Sequence, residues 1–341
     1  MKNNPLIIVC NERVSKDEKN NFFSINADLQ ILPDGLSKFF DIHCIFRKLK
    51  TKGNHKFNIT KIKIAPNIFF FIKNLIKTLS LKESKYLIIT ITPYSFISFI
   101  ILSIFKKNIF VYLMSSGHDE WKHIIGSWSV WIYDLMFRIV TKNSKVIVCH
   151  KRLYDEKKSF LIHPARLNKL WIKDKKTPLL DKARYLYVGR FNPEKGVNNF
   201  IELFDSIEID AELSIAGEKK KIDILKKCNI NQLGYISDEK RLIETYDSHN
   251  IMVLPSFTEA HPYVVDEALS RERPVIIFED ISYVKGDRYG IFVIKRNSKQ
   301  LEETTKFILS NYYKIQADIK KNNLPSREKM IKDLKNIINL N

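Results

Sequence analysis

The chain has four cysteines, Cys10, Cys44, Cys149 and Cys228, and none lies within 30 residues of the next. That spacing excludes a CxxC redox pair and a zinc knuckle, and leaves reduced thiols in a cytosolic protein as the simple reading. Long apolar runs are also missing. The most lipid-like stretch, Ser95 to Phe105, is about half the ~20 residues that a membrane-crossing helix needs. The apolar segment Pro5 to Cys10 is strand-sized, so no secretion signal is expected. Internal repeats and low-complexity segments are absent as well.

What is present is ample material for two cores. A chain of 341 residues with 45% hydrophobic and 12% aromatic residues is globular, and its length favours two domains. Lys and Arg total 57 against 38 Asp and Glu, a net charge of +19. The excess is lopsided: 30 basic and 13 acidic residues occur through Lys175, and 27 and 25 after it. A half carrying +17 suits an anionic surface, either membrane headgroups or nucleic-acid phosphates. A generally Lys-rich composition is the plainer alternative.

Short apolar runs alternate with stretches of helical period, the pattern of βαβ units and parallel sheets. In the first half, strands are expected at Pro5 to Cys10, Asp41 to Phe46, Lys85 to Thr92, Asn108 to Met114 and Lys145 to Cys149. Helices are expected near Asn67 to Ser80, Tyr94 to Lys106 and Lys122 to Val140. In the second, strands fall at Arg184 to Val188, Glu212 to Ala216, Ile251 to Leu254, Pro274 to Phe278 and Ile291 to Ile294. Its helices fall near Val197 to Ile207, Lys219 to Lys227, Glu239 to Ser248, Tyr263 to Ser270 and Gln300 to Tyr312. The charged stretch Lys173 to Lys182 reads as a linker with a cleft beside it. Two Rossmann-like domains follow, residues 1–175 and 183–325, with 326–341 a helix that could return to the first.

Two segments carry chemistry. Ser256 to Leu269 (SFTEAHPYVVDEAL) follows a buried strand, and Pro262 suits the first turn of a helix. Backbone amides around His261, Pro262, Tyr263 and Val264 would then form an anion site at the strand's carboxyl edge. Glu259 sits in the loop and Glu267 on the helix, two acceptors at different depths for a polyhydroxylated ligand. The plain alternative makes Glu259 a helix-terminus charge and Glu267 a solvated one. In Tyr187 to Gly196 (YVGRFNPEKG), the planar fork of Arg190 and the point charge of Lys195 stand beyond Gly189 at a strand edge, a pair that fits a diphosphate. Leu233 to Ser237 (LGYIS), with Tyr235, is a glycine turn.

Taken in order, GRxxxEKG, IAG, LGYIS, LPSxxEAxPxVVxEAL and PVI resemble the donor domain of retaining family 4 glycosyltransferases of GT-B fold. The resemblance covers roughly Arg184 to Ile294. It implies an α/β fold of two Rossmann-like domains whose parallel sheets face each other across a cleft. It further implies that Arg190 and Lys195 hold the donor diphosphate, that Glu259 faces the transferred sugar, and that Glu267 grips the nucleotide ribose. Gly189, Tyr235 and His261 to Val264 would complete the donor site. Cations and amides can stabilise a leaving diphosphate without metal. A DxD-like pair after a strand is missing, since Glu208-Ile209-Asp210 precedes one, so no cofactor and no metal are expected. Front-face attack in this family needs no dedicated base.

The first half departs from the family. Its glycine-rich loop is replaced by Asn11 to Lys16 (NERVSK), and its Asn-Gly before the linker by Pro164-Ala165. His118, in Ser115 to Trp121 (SSGHDEW), stands where such enzymes place a His towards the donor sugar, so it joins Glu259, Arg190 and Lys195 as a catalytic candidate; a buried or capping His is the alternative. A zinc site of His118 and His123 fails on spacing. His150 and His163 stand where they would line a cleft. The lysine-bearing apolar helices Ile68 to Leu81 and Ser95 to Lys107 suggest peripheral membrane docking, against simple packing on the sheet.

The expected partners are a nucleotide-sugar donor, a saccharide or lipid-linked acceptor and an anionic membrane surface, without nucleic acid. The expected location is cytoplasmic, with room for peripheral docking on the inner face of the plasma membrane. An epimerase of the same fold would need acids and bases that cannot be placed. A nucleic-acid-binding protein would need a basic aromatic motif or helix-turn-helix that is absent.

Overall fold

A computed structural model describes residues 4–25, 27–156, 159–218, 229–259 and 261–340. The expected helix at Lys219 to Lys227 lies outside these residues, as do Ala260 and Cys228. The chain forms two compact units, Met1–Arg166 with Arg327–Asn341, and Leu167–Ser326.

Among the described residues the first unit has nine strands: β1 (Pro5–Lys16), β2 (Phe22–Ser24), β3 (Asp41–Lys48), β4 (His55–Lys56), β5 (Ile62–Ala65), β6 (Lys85–Ile89), β7 (Asn108–Leu113), β8 (Lys145–Val148) and β9 (Phe160–Leu161). Its parallel part runs β5-β3-β1-β6-β7-β8-β9, a doubly wound order that reverses between β1 and β6. The strands β2, β4, β5 and β9 and the helix Ala27–Leu36 were not expected, and three expected elements differ in extent. β1 does not stop at Cys10: after a register shift between Val9 and Arg13 it continues to Lys16 and pairs antiparallel with β2. Buried Val14 and Ser15 hold that extension, and the Ser15 hydroxyl accepts from the Gly53 N–H at 2.9 Å. β6 ends at Ile89 because Thr90 has φ +58° and Thr92 caps the helix Pro93–Ile104 through a capping box with Ser95. The single helix expected from Lys122 to Val140 is two, Gly117–Ile124 and Val130–Lys142, split at Gly126 with φ +114°.

The helices Ile68–Ile76, Pro93–Ile104 and Val130–Lys142 cover one face of the sheet, burying Phe71, Leu75, Phe99, Leu102, Tyr133 and Met136 in one core. The helix Ala27–Leu36 packs against the terminal helix Arg327–Ile338. A Cβ on Gly35 would lie 2.6 Å from the Ile331 side chain, so the two approach closely. Met330 takes a hydrogen bond from the Ala165 N–H at 3.2 Å, and Lys85 donates to the Ile338 carbonyl at 2.6 Å.

Among the described residues the second unit has a six-stranded parallel sheet of β10 (Ala183–Val188), β11 (Ala211–Ala216), β12 (Ile230–Gln232), β13 (Ile251–Leu254), β14 (Val275–Phe278) and β15 (Ile291–Ile294), in the order β12-β11-β10-β13-β14-β15. Strands such as IMVL and VIIF are buried throughout, as covering by helices on both faces requires. The helix Val197–Asp205 buries Val197, Phe200, Ile201 and Phe204 at i, i+3, i+4 and i+7. Beyond the helix Ser298–Ser310 a further helix, Tyr312–Ile319, was not expected from the sequence.

Candidate active site

The strand order of the second unit's sheet reverses between β10 and β13, which are hydrogen-bonded parallel neighbours. In a doubly wound sheet this switch point opens a crevice at the carboxyl ends of the strands. The two segments singled out from the sequence leave the sheet at this point, residues 189–196 after β10 and 255–262 after β13.

Backbone contacts tie these loops together. The Phe257 N–H donates to the Glu194 carbonyl at 2.9 Å. Gly196 adopts φ +62°, and a Cβ there would lie 2.2 Å from the Pro255 carbonyl oxygen, so both conformation and space demand glycine. Arg296 fixes the second loop from outside, stacking on Phe257 and Phe278 and donating to the Pro255 carbonyl at 2.8 Å. Side chains complete the join: Lys195 Nζ lies 2.6 Å from Glu259 Oε1, and the Ser256 hydroxyl donates to that same oxygen at 2.6 Å. Tyr283 then clamps the Glu259 backbone, its hydroxyl accepting from the N–H at 3.1 Å and donating to the carbonyl. The Glu259 side chain is only 10% exposed, and Lys195 and Ser256 both meet its Oε1.

Glu267 is not solvated. It is 1% exposed on the helix Tyr263–Ser270, and the buried Tyr246 hydroxyl donates to its Oε2 at 2.9 Å. Pro262 occupies the N-cap of that helix with φ −77° and ψ 106°, one residue before the first turn where it was expected. Its carbonyl accepts from the Val265 N–H at 3.2 Å; Tyr263 and Val264 open the first turn. His261 Nε2 lies 3.0 Å from Asp266 Oδ2, and Arg288 donates to the other oxygen of Asp266 at 2.6 Å, a chain that orients the imidazole. Gly189 and Arg190 follow β10 directly. The Gly189 N–H extends the ladder to Ala216, Arg190 is exposed, and the Arg190 carbonyl accepts from the Tyr187 hydroxyl at 2.7 Å. Tyr235, 51% exposed, follows Gly234, whose carbonyl accepts from Gly217 beyond β11.

His118 belongs to the first unit, in the first turn of Gly117–Ile124 beyond β7. It lies edge-on to Tyr133 and Phe137, with Nε2 3.6 Å from Asp134. His150 caps a short turn by accepting from the Arg152 N–H at 3.0 Å, and His163 is exposed.

Four site residues escaped the sequence reading. Ser256 was detectable, since Ser-x-x-Glu is a capping-type spacing. Tyr246 and Tyr283, 21 and 24 residues from the glutamates they hold, one by its carboxylate and one by its backbone, carry no such signal. Asp266 sat inside the motif but reads as a surface charge. Among the described residues, no group of three or more His, Cys, Asp or Glu could hold a metal ion.

Residues 170–324 match the family model of glycosyl transferases group 1. The second unit is therefore a domain of that family, and the two Rossmann-like units have the GT-B fold. No curated protein matches the sequence. Among solved structures, the fold is similar to sucrose-phosphate synthase from Thermosynechococcus elongatus, with 13% identity and a TM-score of 0.68 over 98% of both chains. It is similar to HepE from Anabaena in complex with UDP-glucose, with 11% identity and a TM-score of 0.70 over 98% of this chain and all of that one. A third is WaaG, a glycosyltransferase involved in lipopolysaccharide biosynthesis, with 13% identity and a TM-score of 0.64 over 98% of this chain and all of that one.

Proposed function

We propose that this glycosyltransferase transfers a hexose from a nucleotide-sugar donor to a saccharide or lipid-linked saccharide, with retention of configuration and without a metal. The observation that carries the reading is the Lys195–Glu259 pair, which joins the two loops at the sheet's switch point. Breaking a glycosyl phosphate bond leaves negative charge on the diphosphate and positive charge on the sugar carbon. Lys195 and Arg190 answer the first, and Glu259 faces the second. In the free protein Lys195 is neutralised by Glu259; an arriving diphosphate shares that cation, and Glu259 is left to meet the sugar. Glu267, oriented by Tyr246, accepts from the ribose hydroxyls. The leaving phosphate takes the acceptor's proton, which needs no base from the protein. His118 is the first unit's candidate catalytic residue.

The acceptor reading is a cell-surface polysaccharide, lipopolysaccharide or capsule precursor. It draws on the basic first unit and on the involvement of WaaG in lipopolysaccharide biosynthesis. Catalysis takes place in the cytoplasm, with the enzyme peripheral to the inner membrane surface. No helix among the described residues is long and apolar enough to cross a membrane.

A thermal-shift panel of UDP, GDP, ADP, CMP and their common sugars, with and without EDTA, tests this, since a ligand of the folded state raises Tm. One nucleotide is expected to stand out, insensitive to EDTA, and its shift is expected to vanish in Arg190→Ala. A shift abolished by EDTA would overturn metal independence. No shift with any nucleotide, together with no sugar release from any nucleotide sugar, would overturn the transferase reading.

A further inference from the structure

In the first unit, the helix Ile68–Ile76 packs on Pro93–Ile104, which packs on Val130–Lys142. All three turn their inner sides to the same core, so their outer sides form one surface. That surface is apolar where solvent-facing helices are ordinarily polar. Phe69 is 78% exposed, Ile104 70%, Trp131 65% and Leu135 53%. Trp128, 64% exposed, joins them from the turn before Val130, where Gly126 at φ +114° redirects the chain. Large side chains exposed in this number on adjoining helices mark a surface built to be covered.

The charges beside them say by what. Lys73 and Lys77 alternate with Ile76 on the first helix, Lys106 follows Phe105 after the second, and Arg138 and Lys142 continue the exposed stripe of Trp131 and Leu135 on the third. The first two helices contain no acidic residue. The third has only Asp134, which is engaged by Arg138 and His118. A second copy would bring lysine against lysine. Nucleic acid would satisfy the cations and leave the tryptophans wet. Interfacial aromatics, apolar ridges and interspersed lysines fit an anionic bilayer, which receives the rings at headgroup depth and the ammonium groups among its phosphates.

We infer that this three-helix face, with Trp128 and Trp131 along its Val130–Lys142 edge, is the surface by which the enzyme docks on anionic membrane. It takes from the preceding reading only that the enzyme works beside a membrane, and gives that placement a face. Docking here needs no nucleotide, so its test is separable from that of the donor site.

The full chain is mixed with vesicles of phosphatidylcholine alone or with phosphatidylglycerol and sedimented, at low and high salt. Binding is expected only with phosphatidylglycerol, to weaken as salt rises, and to fall roughly tenfold or more in Trp128→Ser/Trp131→Ser. Lys73→Glu/Lys77→Glu is expected to weaken it without touching an aromatic. Both variants should keep the parent Tm and nucleotide shift, which distinguishes loss of docking from loss of fold or donor site. Absence of vesicle binding, or binding unchanged in both variants, would overturn the inference. So would a concentration-dependent dimer that the tryptophan variant abolishes, which would reassign the face to self-association.

Discussion

The Lys195 ammonium and the Glu259 carboxylate meet at 2.6 Å across two loops that are 64 residues apart in sequence, and their side chains are 18% and 10% exposed. Removing either leaves the other charge poorly solvated in the crevice. Lys195→Ala and Glu259→Ala should each lower Tm, while the double substitution costs less than their sum, by about 0.5–3 kcal/mol. Additive losses in urea denaturation would show that the two are not coupled. Glu259→Gln retains the shape and the Ser256 bond without the charge, and turnover should drop about 10²–10³-fold.

Tyr246 is fully buried and donates to Glu267 at 2.9 Å. Tyr246→Phe keeps the ring against Trp171 and removes the hydroxyl that donates to Glu267 and, at 3.4 Å, reaches the Val264 carbonyl, a loss of roughly 1 kcal/mol. Titration calorimetry should show the nucleotide Kd rise about fivefold. An unchanged Kd would separate this bond from ribose recognition.

Arg271 uses all five of its N–H donors: two on Asp247, at 2.8 and 2.7 Å, and three on the carbonyls of Trp171, Lys173 and Asp174. A lysine cannot reproduce that planar fork. Arg271→Lys should destabilise the fold by at least ~2 kcal/mol through orphaned carbonyls and an under-satisfied Asp247. Trypsin should also cut faster after Lys173, Lys175 and Lys176. Resistance equal to that of the parent would show that the arginine is not what holds this stretch down.

Burial of His249 holds its pKa below its ordinary 6.5, although the Thr245 carbonyl at 2.6 Å works in the other direction. The folded protein therefore binds this proton less readily than the unfolded chain. Its stabilising contribution is complete above pH 6.5 and is lost as pH falls from there through the lower folded value. Tm measured between pH 8 and pH 5 should decline on the acid side, and the decline should be shallower in His249→Asn. An identical slope in the variant would assign the acid sensitivity to other groups.

What the sequence made legible is the donor half's strand–turn–helix grammar. β13 reads as a buried strand because all four of its residues are apolar, and the polar loop after it stands out against that background. What stayed hidden are contacts between polar residues distant in sequence. Arg271, Glu272 and Arg273 end a helix and read as surface charge, yet both guanidinium groups are buried. The extension of β1 was masked by NERVSK, in which only Val14 is apolar. The helix Ala27–Leu36 was masked by Pro33 within it. Gly126 could have been weighed as a breaker between Lys122 and Val140, since a positive φ is what glycine supplies.

The carbonyl acceptors of Arg271 and Arg273 lie at Trp171, Lys173, Asp174 and Lys176, upstream of the first strand of the second unit. The stretch that composition marks as a tether is therefore half of a polar lock whose key is buried at the end of the Tyr263–Ser270 helix. A donor half expressed on its own from Ala183 would expose or orphan both guanidinium groups and their Asp247 anchor. Expressed from Leu167, it carries its own lock and is the version with the means to fold autonomously.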